Sequence, residues 1–178
     1  MTKSFLLAGF GGQGILFAAK QLANCAMTKG YNVSWLPSYG PEMRGGTCNC
    51  SVIISDEEIG SPIVTKPDIL VVFNIQSFDK FEQSVKPYGT LFADSSLINK
   101  ISWRDDLGGA YYVPATKLAS DNDLAGGANV IMMGKIVAAT KLFTREEFIE
   151  NMVSHIPASK AKLIENNKRA FDLGYSFK

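Results

Sequence analysis

Residues 5–14, Phe-Leu-Leu-Ala-Gly-Phe-Gly-Gly-Gln-Gly, constrain the fold more than any other stretch of this chain. An apolar run stands directly before Gly9, Gly11 and Gly14, which keep the G-x-G-x-x-G spacing of a strand-to-helix turn. Beyond the turn Ile15, Leu16, Ala19, Leu22, Ala23, Ala26 and Met27 recur at helical spacing. Lys20, Gln21 and Asn24 lie on the other side, and Gly30 supplies a stop. A second β-rich run follows at 32–36, so the first unit reads as strand, turn, helix, strand.

Further β-rich runs at 69–73, 90–94 and 110–114 alternate with helical patterns at 76–86 and 127–142, and several of the runs are apolar throughout, as parallel strands covered on both faces are. Thr144 and Glu147 make a capping box for a helix over 145–156, and a last helix over 158–173 is expected to end near Gly174. Residues 47–55 alternate small or polar with apolar positions, and Asp56-Glu57-Glu58 then leads into 59–64. This pattern suits a β-hairpin around a charged turn. The segment 114–129 has no clear periodicity. The expected fold class is α/β: a three-layer, mostly parallel sheet with helices on both faces and an added β-hairpin, a Rossmann-like variant, as one domain over 1–178.

At 178 residues and 46% hydrophobic composition the chain is long enough to bury a substantial core. A formal net charge of +1 with evenly scattered charges offers no basic field, which argues against nucleic-acid partners. Gly9 to Gly14 interrupt what would otherwise be a signal-peptide core, and no run reaches membrane-spanning length, so a cytoplasmic location without membrane contact is expected. Cys25, Cys48 and Cys50 are an odd number and argue against a disulfide framework. The Cys48-x-Cys50 pair would place both sulfurs on one strand face, favouring a packing role over metal or redox work. His155 is the sole histidine, with no second ligand or nucleophile near it in sequence, so no catalytic or metal residue is assigned.

Three readings of the glycine turn are open: a dinucleotide site, a tight turn without ligand, and a phosphate- or cofactor-edge site of another kind. A dinucleotide site of this type needs an acidic residue about 20 positions on, at the end of the second strand. Here that strand ends Trp35-Leu36-Pro37, and the first acidic residue in the chain is Glu42. Gln13 adds an amide that offers both donor and acceptor. Residues 38–46, Ser-Tyr-Gly-Pro-Glu-Met-Arg-Gly-Gly, set Tyr39, Glu42 and Arg44 in a loop shaped by Gly40, Pro41, Gly45 and Gly46. Ligands of open α/β sheets bind beyond the carboxyl ends of strands, where Gly11, Tyr39, Asn74 and Asp94 should gather.

The segments GFGGQG (9–14), SYGPEMRGG (38–46), SPI (61–63), PDILVVFN (67–74) and GGANVIMMG (126–134) resemble, in order and through nearly the whole chain, the gamma subunit of 2-oxoacid:ferredoxin oxidoreductases. The resemblance implies one part of a multi-subunit enzyme that oxidatively decarboxylates a 2-oxoacid, of 2-oxoglutarate or branched-chain type, to acyl-CoA and CO2 with reduction of ferredoxin. Thiamine diphosphate, Mg2+ and iron–sulfur clusters would reside in partner subunits, alpha and beta with delta as a further candidate, and coenzyme A at this chain's edge. It further implies that Gly9, Gly11, Gly12, Gln13, Gly14 and Arg44 face a phosphate or cofactor. Tyr39, Gly40, Pro41, Glu42, Arg44, Gly45 and Gly46 would form a loop directed at neighbouring subunits and the active-site entrance, and Asn129 would cap or contact the same edge. A free-standing NAD(P)- or flavin-binding protein and a purely scaffolding subunit are the competing readings.

Overall fold

A computed structural model describes residues 1–39, 47–154 and 156–178. Among these residues six strands, β1 (Thr2–Phe10), β2 (Asn32–Tyr39), β3 (Thr47–Ser55), β4 (Ile69–Val72), β5 (Thr90–Asp94) and β6 (Gly109–Val113), form one sheet in the order β2-β3-β1-β4-β5-β6. β1, β4, β5 and β6 run parallel, whereas β3 is antiparallel to both of its neighbours. Among the described residues the α-helices are α1 (Ile15–Thr28), α2 (Ile75–Phe81), α3 (Ala115–Asp121), α4 (Ala128–Thr140), α5 (Arg145–Ser154) and α6 (Ala161–Ser176).

The parallel strands alternate their side chains between two cores. Phe5, Leu7, Val71 and Phe92 face a thick layer built from α1, α3, α4, α5 and α6, while Leu6, Ala8, Leu70, Val72 and Leu91 face α2 and the chain that follows it. Both faces of β1 and β4 are therefore dry, which is why these strands are apolar without alternation. Each fully buried Phe or Leu contributes about 1.5–3 kcal/mol relative to exposure.

The mostly parallel sheet with helices on both faces agrees with the sequence expectation, but the added antiparallel element is not the one expected. Residues 59–64 form no strand. β3 pairs instead with β2, from Asn32 opposite Ser55 to Tyr39 opposite Cys48, and on its other side with β1. The alternation of Cys48, Cys50, Val52 and Ile54 is satisfied by packing on α1, so the partner of this strand is set by the helix-covered sheet rather than by the nearest charged turn. Insertion of β3 also separates β2 from β1, so the first unit is not a pair of adjacent strands.

Two further expectations are corrected. The aperiodic segment 114–129 contains α3, whose Ala115 and Ala119 are its buried residues; seven residues are too few to show helical periodicity. α6 continues through Gly174 to Ser176 because that glycine works as a contact rather than a stop. A Cβ there would lie 1.7 Å from the Ile131 carbonyl oxygen of α4, and one at Gly134 would lie 2.1 Å from the Phe171 oxygen. The capping box forms as expected: Thr144 N–H donates to Glu147 Oε2 at 2.8 Å, and Glu147 N–H donates to Thr144 Oγ1 at 3.1 Å.

Candidate functional site

The strand order reverses direction between β1 and β4: α1 leaves β1 on the thick layer, and α2 leaves β4 on the other face. Such a switch point opens a crevice beyond the strand ends. Gln13 spans it. Its Oε1 accepts from Phe10 N–H at 2.6 Å and from Asn74 Nδ2 at 3.3 Å, and its Nε2 donates to the Phe73 carbonyl at 2.9 Å. The Gln13 amide thus ties the glycine turn to the end of β4. Asn74 in turn caps α2 by accepting Ser77 N–H at 2.8 Å.

The glycines serve this clamp. Gly9 lies within β1, and a Cβ on it would stand 2.7 Å from Gln13 Oε1. Gly12 and Gly14 adopt φ of 101° and 75°, the left-handed region that side chains disfavour. A Cβ at Gly14 would also meet Asn129 Nδ2 at 2.2 Å. Asn129 is not the cap of α4, a position held by Gly127; its buried side chain donates to the Gly14 carbonyl at 3.3 Å and joins the starts of α1 and α4.

Asp94, fully buried at the end of β5, accepts Ser96 N–H at 3.0 Å, Thr116 N–H at 3.1 Å and Thr116 Oγ1 at 2.6 Å, fixing the start of α3. Between these anchors lies a cleft of about 500 Å³ lined by Gly12, Gln13, Phe73, Leu97, Thr116 and Asp123 among others. Ser120, Ala125, Gly126 and Ala128 complete its far wall. That wall comes from 115–128, of which the sequence singles out only 126–128 as the start of GGANVIMMG; the signal before it is the turn chemistry of Asn122 and Asp123. Asp123 takes a φ of 56°, tolerated by a short polar side chain.

The structure brings Gly12, Gln13, Gly14, Asn74, Asp94 and Asn129 to one edge. Tyr39 ends β2 at the same edge, two strands away from β1, a lateral offset of about 10 Å. That offset places the end of β2, where a dinucleotide ribose meets its carboxylate, away from the glycine turn. Gly40, Pro41, Glu42, Arg44, Gly45, Gly46 and His155 lie outside the described residues. Cys25 and Cys50 are buried, and burial pushes both thiols up to about 12, with Glu147 adding to the first and Cys48 to the second. Burial raises Cys48 as well. Thiols held this far above neutral pH are packing groups rather than nucleophiles. Among the described residues no three His, Cys, Asp or Glu side chains converge as a metal site.

A doubly wound α/β domain with a clamped glycine turn at its switch point is the class these features define. A family model for pyruvate ferredoxin/flavodoxin oxidoreductases matches residues 4–177, and the chain belongs to that family. It is 39% identical over 168 residues to the ketoisovalerate oxidoreductase subunit VorA of Methanothermobacter thermautotrophicus, covering 94% of this chain and 35% of that one. It is 34% identical over 177 residues to the 2-oxoglutarate synthase subunit KorC of Methanocaldococcus jannaschii, covering 98% and 93%. The crystal structure of the keto/oxoacid ferredoxin oxidoreductase gamma subunit from Geobacter sulfurreducens superposes with a TM-score of 0.80 at 28% identity, covering 97% of this chain and 96% of that one. The chain thus spans about a third of the ketoisovalerate relatives' length but nearly all of KorC.

Proposed function

We propose that this chain is the gamma subunit of a thiamine-diphosphate-dependent 2-oxoacid:ferredoxin oxidoreductase acting on 2-oxoglutarate or a branched-chain 2-oxoacid. In that reaction a 2-oxoacid and coenzyme A yield an acyl-CoA and CO2, and two electrons pass to ferredoxin. The observation that carries the reading is the match along nearly the full length of both this chain and KorC. The family assignment supports it over a free-standing NAD(P)- or flavin-binding protein, as does the displacement of β2 from the glycine turn.

The chain's own part in this is binding and orientation. An iron–sulfur cluster needs several converging thiolates, which the described residues do not bring together, and the clusters, like thiamine diphosphate, are assigned to partner subunits. Coenzyme A supplies the acyl-accepting thiol when bound. The cleft offers Thr116 and Ser120 hydroxyls, the backbone of Gly12 and Gly126, and one carboxylate, Asp123, but no described cationic side chain. It therefore suits a hydrogen-bonding, uncharged portion of such a ligand. Phosphates require a cation from elsewhere, and Arg44 is the candidate in this chain. The Gln13 clamp holds Gly12 at the cleft wall and keeps the turn closed.

The test is reconstitution. Alone, the purified chain is expected to show no iron–sulfur colour and no 2-oxoacid-dependent electron transfer; with its alpha and beta partners it should complete an active complex. Turnover by the isolated chain would overturn the reading. Arg44→Ala should preserve assembly and raise the KM for coenzyme A about tenfold or more, whereas lost assembly would assign that loop to scaffolding.

A further inference from the structure

The cleft of about 500 Å³ at the switch point has the size of a small-molecule site, and much of its hydrogen-bonding capacity is unused within the chain. Thr116 and Ser120 lie one turn apart on α3, and Asp123 follows just beyond the end of that helix; all three line the cleft. Thr116 Oγ1 has given its proton to Asp94, so it can only accept. The Ser120 hydroxyl and the Asp123 carboxylate have no hydrogen-bond or ion-pair partner among the described residues. Gly12 and Gly126 line the same cleft, and no described residue accepts the N–H of either. Their φ values are 101° and 77°, and the space that a Cβ would enter is open at both. Backbone can therefore meet a ligand directly at these two points.

A phosphate placed here would face Asp123 without a described counter-charge, whereas a flat, neutral group with donors and acceptors side by side uses both kinds of partner. Adenine has such an edge, an amino donor on C6 next to the acceptor N7. Asp123 and Gly126 supply the complement, a carboxylate acceptor and a backbone donor three residues apart, on a turn closed by Gly127 N–H to the Leu124 carbonyl at 2.8 Å. Guanine carries two acceptors, N7 and O6, on the same edge, and O6 would meet the carboxylate. Leu97 and Ala119 add apolar contact for a ring.

We propose that this cleft holds the adenosine end of coenzyme A. The proposal rests on the subunit reading above and deepens it: the thiol has to reach the thiamine centre assigned to the partner subunits, so the end of the molecule left for this chain to enclose is the opposite one. The amino group donates to Asp123, a ring nitrogen accepts from the Gly126 amide, and the ribose 2′-hydroxyl meets the Ser120 and Thr116 oxygens. The ribose leads out of the cleft, which keeps the phosphates off Asp123.

In 15N–1H spectra of the full chain, adenosine should shift the amides of Gly12, Asp123 and Gly126 with a Kd of about 1 mM or tighter. Inosine, which has an oxygen in place of the amino group, should bind about tenfold or more weakly, and this comparison needs no variant. Asp123→Gly removes the carboxylate and accepts the φ of 56° at that position, so it should keep the thermal midpoint within about 2 °C and lose adenosine by a similar factor. In the reconstituted complex the same variant should raise the KM for coenzyme A about tenfold with kcat nearly unchanged. Absence of adenosine binding, inosine bound as tightly as adenosine, pantetheine shifting these amides in place of adenosine, or a wild-type KM in Asp123→Gly each overturns the adenosine site and leaves the subunit reading standing. Failure of the unaltered chain to form any complex with alpha and beta partners overturns the subunit reading, and the coenzyme A assignment with it.

Discussion

Asp68 and Asp94 sit at opposite edges of the sheet, and each receives three donors. Asp68, at the amino ends of the strands, accepts Ser4 N–H at 2.8 Å, Ser4 Oγ at 2.6 Å and Lys86 Nζ at 3.0 Å. Its own N–H donates back to Ser4 Oγ at 3.0 Å, so the two residues lock β1 to the start of β4. Asp94, at the carboxyl ends, meets no lysine or arginine of the described residues in its hydrogen bonds; its donors among them are two backbone amides and one hydroxyl belonging to the loop after β5 and to α3. One carboxylate therefore seals strand against strand. The other fixes the loop after β5 and the start of α3, and Thr116, which it anchors, becomes part of the cleft wall. The same donor count produces a closed edge and an organised, open one, and the open one gathers the glycine turn.

Removing each anchor in turn tests this contrast. Asp94→Ala should have the largest effect, because three donors lose their acceptor in a fully buried place at about 1–3 kcal/mol each, with partial relief from water. A loss of about 3–5 kcal/mol, or a fall of roughly 10 °C in Tm, is expected in denaturation experiments. A loss below about 1 kcal/mol would mean that water replaces the carboxylate and that the open edge does not depend on it.

Gln13→Ala comes next, at about 2 kcal/mol, since it orphans Phe10 N–H and the Phe73 carbonyl together. Gln13→Glu is the sharper form. It keeps an acceptor for Phe10 but turns a second oxygen toward the Phe73 carbonyl, so at neutral pH it should be less stable than Gln13→Ala and should recover on acidification as the new carboxyl protonates. Equal stability of the two variants at neutral pH would show that the turn closes without the clamp.

The smallest effect belongs to the sealed edge. Burial raises the Asp68 pKa, but the Ser4 hydroxyl and amide together with Lys86 outweigh it and hold the carboxyl below its ordinary value. A depressed folded pKa means that the contribution is fully present above about pH 4, the unfolded value, and is lost as pH falls through the folded one. Asp68→Asn should cost about 1 kcal/mol at neutral pH and flatten the acid limb of the stability curve. An unchanged acid limb would remove Asp68 from the account.

Strands β1, β4 and β5, helices α1 and α4 and the capping box at Thr144 and Glu147 were legible because each rests on local pattern: an apolar run buried on two faces, a 3.6-residue period, a reciprocal cap. The partner of β3 was not legible. Its alternation specifies that one face is buried, and any strand with the right neighbours satisfies that. The α3 wall of the cleft was equally hidden, since seven residues with two buried alanines carry no period.

By itself the sequence determined that a glycine turn joins a buried strand to an amphipathic helix, that the dinucleotide carboxylate is missing, and that ordered motifs resemble one family, because these depend on residue type and spacing along the chain. The tertiary structure alone decided that the Gln13 amide closes the turn onto β4, that Asn129 reaches the Gly14 carbonyl, and that Asp123 lines the same cleft as Gly12. Those outcomes depend on which segments distant in sequence meet, from 60 residues for Gln13 and Phe73 to 115 for Asn129 and Gly14. Such meetings follow from the packing of whole elements, which local pattern does not encode.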